Sequence, residues 1–215
     1  MGRAFITKVS SISCKTKVFC DVSTYHKRQE ARKKIMLRKL FHVTGSIIPV
    51  VYFLTDKQTA LILTASMFVV DIVLEVLRIK SFMKIAFIEN NMKKEESNRL
   101  SGSFFYILSG LITIILFGRN IAISSLFILS IADPLSSFIG GRFGRVRFLG
   151  KSLEGTMTFF IVAFVILRVF SFSIPMATAG AVIASLTELF SSRFIDDNLS
   201  IPLATGVALT FMVRF

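Results

Sequence analysis

The stretch TALILTASMFVVDIVLEVLRI, residues 59–79, carries only three charged side chains, Asp71, Glu75 and Arg78. As a helix rising 1.5 Å per residue it reaches about 30 Å, the thickness of a bilayer's hydrocarbon core. It therefore reads as a membrane span, and the flanking sequence repeats the pattern. Upstream lies Leu40–Thr55, ending at Asp56-Lys57. Downstream lie Phe104–Phe117 and Ile121–Ile131, parted only by Gly118-Arg119-Asn120, then Gly155–Val169, Ile174–Phe190 and Ile201–Val213. This predicts an all-α, polytopic transmembrane bundle of about seven spans. The third and fourth segments are short, and the fourth fits a broken or buried piece of the bundle as well as a full span.

Composition agrees. Of 215 residues, 53% are hydrophobic and 18% charged, with a mean hydropathy of +0.69. Soluble domains carry about 25% charged residues, so a water-soluble enzyme of this size would lack polar surface. Two Cys, Cys14 and Cys20, permit at most one bridge and read as free thiols; two His leave no zinc cluster.

The formal charge is +13. In a soluble chain that would suggest nucleic acid, but its distribution argues for a bilayer and against a nucleic-acid partner. Residues 1–40 hold eleven Lys/Arg against Asp21 and Glu30. Taking that end as cytoplasmic, the loops 80–102, 133–154 and 191–200 share its side and contain Lys80, Lys84, Lys93, Lys94, Arg99, Arg142, Arg145, Arg147, Lys151 and Arg193. The opposite loops offer Lys57, Arg119 and Arg168. This is the positive-inside asymmetry of a multi-pass protein with a cytoplasmic N-terminus. Residues 1–34 read as a basic arm, disordered or interfacial, and 35–215 as a membrane-embedded domain.

Four polar constellations fall on that same side. Arg38 and His42 stand one helical turn apart before Gly45. Ala132-Asp133-Pro134-Leu135-Ser136-Ser137-Phe138-Ile139-Gly140-Gly141-Arg142-Phe143-Gly144-Arg145 leads through Arg147 to Gly150-Lys151-Ser152-Leu153-Glu154-Gly155-Thr156. Its glycines permit tight turns and close backbone approach. Their amides, with Arg142, Arg145 and Lys151, suit a polyphosphate. Asp133 and Glu154 suit Mg²⁺, a hard cation that bridges phosphates. Gly150-Lys151-Ser152 is not a Walker A motif, because position 145 is Arg where that spacing needs Gly. A basic loop at the membrane edge touching lipid headgroups is the simpler alternative. The third group is Glu188, Arg193 and Asp196-Asp197-Asn198 before Pro202; capping a helix explains one acid, but not three carboxylates with an amide. The fourth is Asp71 and Glu75 on one face of the 59–79 span. They read either as an interhelical hydrogen-bond network or as support for a metal or substrate. Convergence on one side points to an interfacial active site open to a soluble phosphorylated compound and a bilayer lipid.

At these residues the chain resembles the polyprenol kinase family, which includes dolichol kinase, phytol kinase and CTP-dependent diacylglycerol kinase. The resemblance lies in Arg38-Lys39-x-x-His42-x-x-x-Gly45, Ala132-Asp133-Pro134-x-x-Ser137-x-x-Gly140 with Phe143-Gly144, Gly150-Lys151-Ser152-x-Glu154-Gly155-Thr156, and Glu188 with Asp197-Asn198-Leu199-x-x-Pro202-Leu203. It covers residues 38–203. Ser136 departs mildly from a small Ala, and the chain is short beside dolichol kinases.

The resemblance implies transfer of the γ-phosphoryl group of a nucleoside triphosphate, CTP or else ATP, to the hydroxyl of diacylglycerol or a polyprenol-type alcohol. Asp133 and Asp197 are expected to lead Mg²⁺ binding with Glu154 and Glu188 in support, and either Asp could instead accept the hydroxyl proton. His42 is a further catalytic candidate. Arg38, Arg142, Lys151, Ser152 and Asn198, with the backbone of Gly140, Gly141 and Gly144, are expected on the nucleotide phosphates. The setting is a bacterial inner membrane, or the endoplasmic reticulum in a eukaryote, and several copies could assemble. Many relatives carry a phosphatidate cytidylyltransferase label, which makes that the first rival, although its Pro-Gly-His-Gly signature is absent. A transporter is the second rival, motivated by Asp71 and Glu75, but no internal repeat supports it.

Overall fold

The computed structural model describes residues 44–79, 100–194 and 196–214. The basic arm with Cys14 and Cys20, Arg38, His42 and the bases Lys80 to Arg99 lie outside the described residues.

Seven helices run through the described chain: α1 Ile47–Leu54, α2 Lys57–Ile79, α3 Gly102–Leu116, α4 Arg119–Phe143, α5 Leu153–Val169, α6 Ile174–Phe194 and α7 Asp197–Arg214. Lys57–Leu77, Arg119–Phe143 and Ile174–Ser191 are long and apolar enough to cross a membrane, and Gly102–Leu116 is a shorter apolar helix. The short links α1–α2, α3–α4, α5–α6 and α6–α7 make sequence neighbours antiparallel.

Helix position follows from what each side chain meets. Only 17% of the Lys57–Leu77 window is buried, against 72% of Arg119–Phe143. So α2 is peripheral, with Val69, Val70, Val73 and Val76 turned outward, and α4 is the central helix. The core joins Ile114 of α3, Ile123, Leu126 and Leu129 of α4, Phe159, Ala163 and Leu167 of α5, Ala177, Ala181 and Ala184 of α6, and Ile201 and Leu209 of α7. Three buried hydroxyls find partners inside their own helices: Thr64 donates to Ala60, Ser185 to Ala181 and Thr205 to Ile201, each to the carbonyl four residues back. In an apolar medium that satisfies the hydroxyl without a water.

Helix ends are capped by local chemistry. Asp56 accepts the amides of Gln58 and Thr59 and the Thr59 hydroxyl, starting α2. Those bonds, the Thr59 hydroxyl first, hold its carboxyl below the usual carboxylate range. Arg119 donates to the carbonyls of Phe53 and Thr55 at 3.0 and 2.6 Å, closing the end of α1, and sits 5.8 Å over the Tyr52 ring. At the end of α5, Ser171 adopts a left-handed φ of 63°; its amide bonds to Arg168 and that of Phe172 to Leu167. This is a Schellman cap, with Phe172 and Leu167 as the buried apolar pair.

The fourth segment differs from its expectation. The sequence places its end at Ile131 and a loop from Asp133, yet the helix runs on to Phe143. Pro134 has no amide to donate to the carbonyl four residues back, and its ring crowds that turn. The chain accommodates it with a π-helical turn over Ile128–Ala132, immediately before Asp133. The loop is thus confined to the residues after Phe143, where a two-stranded hairpin that the sequence reading lacks pairs Arg147–Phe148 (β1) with Lys151–Ser152 (β2).

Candidate functional site

The hairpin sets the site's cation. Arg147 pairs with Ser152 and Phe148 with Lys151, leaving Leu149 and Gly150 as a two-residue turn with φ of 50° and 86°. Positive φ at both positions is the type I′ geometry that matches strand twist. Gly150 adopts it freely, whereas the branched Leu149 is strained there. Leu153 closes the ladder through its amide to the Val146 carbonyl at 3.0 Å.

From β2, Lys151 Nζ reaches Glu188 of α6, at 2.5 Å from Oε1, and also donates to the Glu188 backbone carbonyl. The Lys151 side chain is 19% exposed, and Glu188 is 3% exposed. The other carboxylate oxygen, Glu188 Oε2, is buried and accepts no hydrogen bond. Asp133, 1% exposed on α4, and Asp197, the first residue of α7, lie close enough for their charges to repel that of Glu188. Asn198 is 2% exposed, and its Oδ1 is likewise buried without a donor. Pro202 cannot donate to the Asn198 carbonyl one turn back. Glu188 of α6 thus meets the ammonium of β2 directly and lies within charge range of Asp133 from α4 and Asp197 from α7.

Asp196 is the capping acid of the C-terminal group. Its Oδ1 accepts the Asn198 amide at 3.0 Å, and its carbonyl accepts the amides of Leu199 and Ser200. That leaves Asp197 and Asn198 for the site.

Glu154 stands apart from that cluster and organises the loop. Its Oε1 accepts the Arg145 amide at 2.9 Å, a bond that holds its carboxyl below the ordinary range. Ser152 caps α5 by accepting the Gly155 amide at 3.1 Å. Arg142, Arg145 and Arg147 are exposed, Arg142 lying 5.6 Å over the Phe143 ring.

Gly140 and Gly141 lie within α4, and Gly144 follows its last residue. A Cβ on Gly140 would meet Ser152 Oγ and lie 3.3 Å from Gly155 Cα; one on Gly144 would meet Ser152 Cβ at 2.6 Å; one on Gly155 would lie 2.9 Å from the Ser136 carbonyl. Ser136, Gly140 and Gly144 therefore form a stripe of small residues, four apart, against which the start of α5 packs at backbone contact. The sequence reads these glycines as a turn, and the stripe is the signal it missed. Gly141 meets nothing.

In the 59–79 span, Glu75 is buried and accepts the Ser101 amide at 2.8 Å, tying α2 to the cap of α3. Asp71 is half-buried one turn earlier. Of its two readings, Glu75 matches the interhelical one. The side chains of Arg78 and Arg193 lie outside the described residues, as do Arg38 and His42.

Among the described residues, no three His, Cys, Asp or Glu stand in a metal-holding arrangement. Mg²⁺ needs less from a protein, one or two carboxylates with the rest from water and substrate phosphate. Glu188 Oε2, buried without a donor and within charge range of Asp133 and Asp197, is a hard-oxygen donor that fits it.

Over 188 residues the chain is 31% identical to an uncharacterized protein of Rickettsia prowazekii, covering 80% of this chain and 92% of that one. The chain belongs to the same family as that protein. It is also 30% identical over 137 residues to dolichol kinase of Saccharomyces cerevisiae, which spans 60% of this chain and 26% of that enzyme. Identity to CTP-dependent diacylglycerol kinase 1 of Eremothecium gossypii is 24% over 152 residues, 58% of this chain and 48% of that enzyme. The chain thus spans about half or less of the named kinases it matches, and these distant homologues support a polyprenol or lipid kinase family. No family model matches the chain, and no solved structure does.

Proposed function

We propose that the protein is a lipid kinase that transfers the γ-phosphoryl group of a nucleoside triphosphate, CTP in the first instance, to the hydroxyl of a membrane lipid alcohol. The observation that carries this reading is the meeting of Lys151 with the buried Glu188 within charge range of Asp133 and Asp197. These are the positions at which the sequence resembles polyprenol kinases, and named relatives are kinases of dolichol and diacylglycerol.

Phosphoryl transfer asks a protein for alignment and charge neutralisation more than for covalent chemistry. Lys151 is a compact, rotatable cation suited to phosphate oxygens, and the exposed Arg142 offers a planar fork from the neighbouring loop. Glu188 with one of Asp133 and Asp197 would hold Mg²⁺, water and substrate phosphate completing its shell, and the ion when bound would neutralise phosphate charge. Glu154 shapes the loop that presents Lys151. One of Asp133 and Asp197 takes the proton of the lipid hydroxyl, and burial keeps competing water from the phosphoryl group.

The basic asymmetry favours a cytoplasmic site, with the seven helices forming a multi-pass bundle in which the shorter ones are partly embedded or matched by local thinning of the bilayer. The exposed apolar faces of α2 and α7 suit lipid. The purified protein, offered CTP or ATP with a panel of diacylglycerol and polyprenol alcohols, tests this. A phosphorylated lipid is expected; none from any pair would overturn the reading.

A further inference from the structure

We infer that the hairpin between α4 and α5 is a docking surface for anionic lipid headgroups, held to them by Arg145 and Arg147. The inference goes beyond the kinase reading and needs only that the helices lie in a bilayer.

Along α5, Leu153, Met157, Ile161 and Val165 stand four residues apart and are all exposed. A bare apolar stripe of this kind on a membrane helix meets acyl chains. It begins at Leu153, where the hairpin joins, for Leu153 donates its amide to the Val146 carbonyl at 3.0 Å. That bond brings Val146, itself exposed, to the end of the stripe. Arg145 and Arg147 flank Val146 in the chain, and Phe148 follows; all three side chains are exposed. Cations and an aromatic ring at the end of a lipid-facing stripe match a membrane–water interface. The ring and the aliphatic stems rest among the headgroups, and the guanidiniums take phosphate.

The charge of this segment is one-sided. Between Arg142 and Leu153 there is no acid. Lys151 is paired with Glu188. Among the described residues, the guanidiniums of Arg145 and Arg147 have neither a hydrogen bond nor an ion pair. Glu154 feels the charge of Arg145, but its Oε1 is taken by the Arg145 amide. An anionic leaflet supplies the missing counter-charge.

Hairpin register argues for a headgroup over a nucleotide. Lys151 and Ser152 of β2 are packed, whereas Arg147 and Phe148 of β1 are exposed, so β1 is the outer strand. Cross-strand partners share a face, and successive residues alternate. Arg147, opposite Ser152, therefore lies on the face away from Lys151. A phosphate held by Lys151 is out of its reach.

The test uses the absence of Trp from the chain. Phe148→Trp places a single indole on the outer strand. The full chain carrying it is reconstituted in mixed phosphatidylcholine and phosphatidylglycerol, with one of the two lipids brominated on its acyl chains at a time. Indole quenching then gives the relative affinity of the two lipids beside the hairpin. Phosphatidylglycerol is expected to be preferred, by up to about fivefold for each arginine. Adding Arg145→Gln/Arg147→Gln is expected to abolish the preference, and Arg145→Lys/Arg147→Lys to keep most of it. The Arg145 bond to Glu154 runs through the backbone and survives both changes. Equal quenching by the two lipids, or quenching by neither, would overturn the proposal. A preference that outlasts the glutamine changes would overturn it too, as would one that CTP with Mg²⁺ removes, which would give the arginines to nucleotide. No readout involves turnover, so failure here is distinguishable from failure of the lipid-phosphorylation assay.

Discussion

Lys151 and Glu188, separated by 37 residues in sequence, meet at 2.5 Å between Nζ and Oε1. Breaking this pair from one side strands a buried carboxylate. Lys151→Met is therefore expected to destabilise the protein by roughly 3 kcal/mol, toward the low end for buried pairs because the lysine is partly exposed. The double variant Lys151→Met/Glu188→Gln removes both charges and is expected to recover most of that loss. Thermal unfolding in detergent measures both; a double variant no more stable than the single would contradict the account.

The glycines of α4 separate packing from ligand contact. Gly140→Ala pushes a methyl group into Ser152 Oγ and toward Gly155 Cα, and is expected to lower stability by about 1–3 kcal/mol. Gly141→Ala meets nothing within 4 Å and improves helix propensity, so stability is expected to hold or rise by up to about 1 kcal/mol. Equal losses in the two variants, measured by unfolding midpoint, would remove the small-residue stripe from the explanation.

Two left-handed residues flank α5 and are not glycine. Leu149 sits at a type I′ turn position that favours Asn, and Ser171 at a helix-terminal position that favours Gly. Leu149→Asn and Ser171→Gly are each expected to stabilise by about 0.5–1 kcal/mol. Their effects should add, since a 17-residue helix separates them. A fall in unfolding temperature for either would contradict the assigned turn.

The helices were legible from sequence because their signal is redundant: long apolar runs bounded by charged or glycine-rich breaks recur along the chain, and α2, α3, α5, α6 and α7 begin and end close to the expected places. The extension of α4 was not. Pro134, Gly140 and Gly141 are ordinarily helix breakers, and a π-helical turn together with packing on α5 overrides that local preference. The hairpin escaped notice because each strand is two residues long and its turn begins with Leu rather than Asn or Asp. Asp133, Glu188 and Asp197 were visible as costly acids beside apolar segments, and the fold brings Asp133 and Asp197 within charge range of Glu188. Which acid of the pair 196–197 caps its helix required coordinates, since both precede the same apolar run.

Glu154 couples the loop to pH. Its folded carboxyl is held below the ordinary range, chiefly by the Arg145 amide. Such a group adds stability that is fully present above its unfolded value and is lost as pH falls through its folded value. Glu154→Gln is therefore expected to flatten the acid limb of the unfolding-temperature profile while leaving the profile near neutrality parallel to that of the native protein. An unchanged acid limb would show that the Arg145–Glu154 bond does not contribute in solution.

Phosphoryl transfer to a lipid leaves a label signature that nucleotidyl transfer cannot give. The purified protein is incubated with a lipid alcohol or with phosphatidate, with Mg²⁺ and with CTP labelled at either the γ- or the α-phosphate, and the lipid extract is counted. Lipid-borne label from γ-labelled CTP alone is the predicted result, and Asp133→Asn in folded protein should reduce it at least about a hundredfold. Label reaching a phosphatidate acceptor only from α-labelled CTP, with the γ-phosphate leaving in pyrophosphate, would contradict the account and make the protein a cytidylyltransferase.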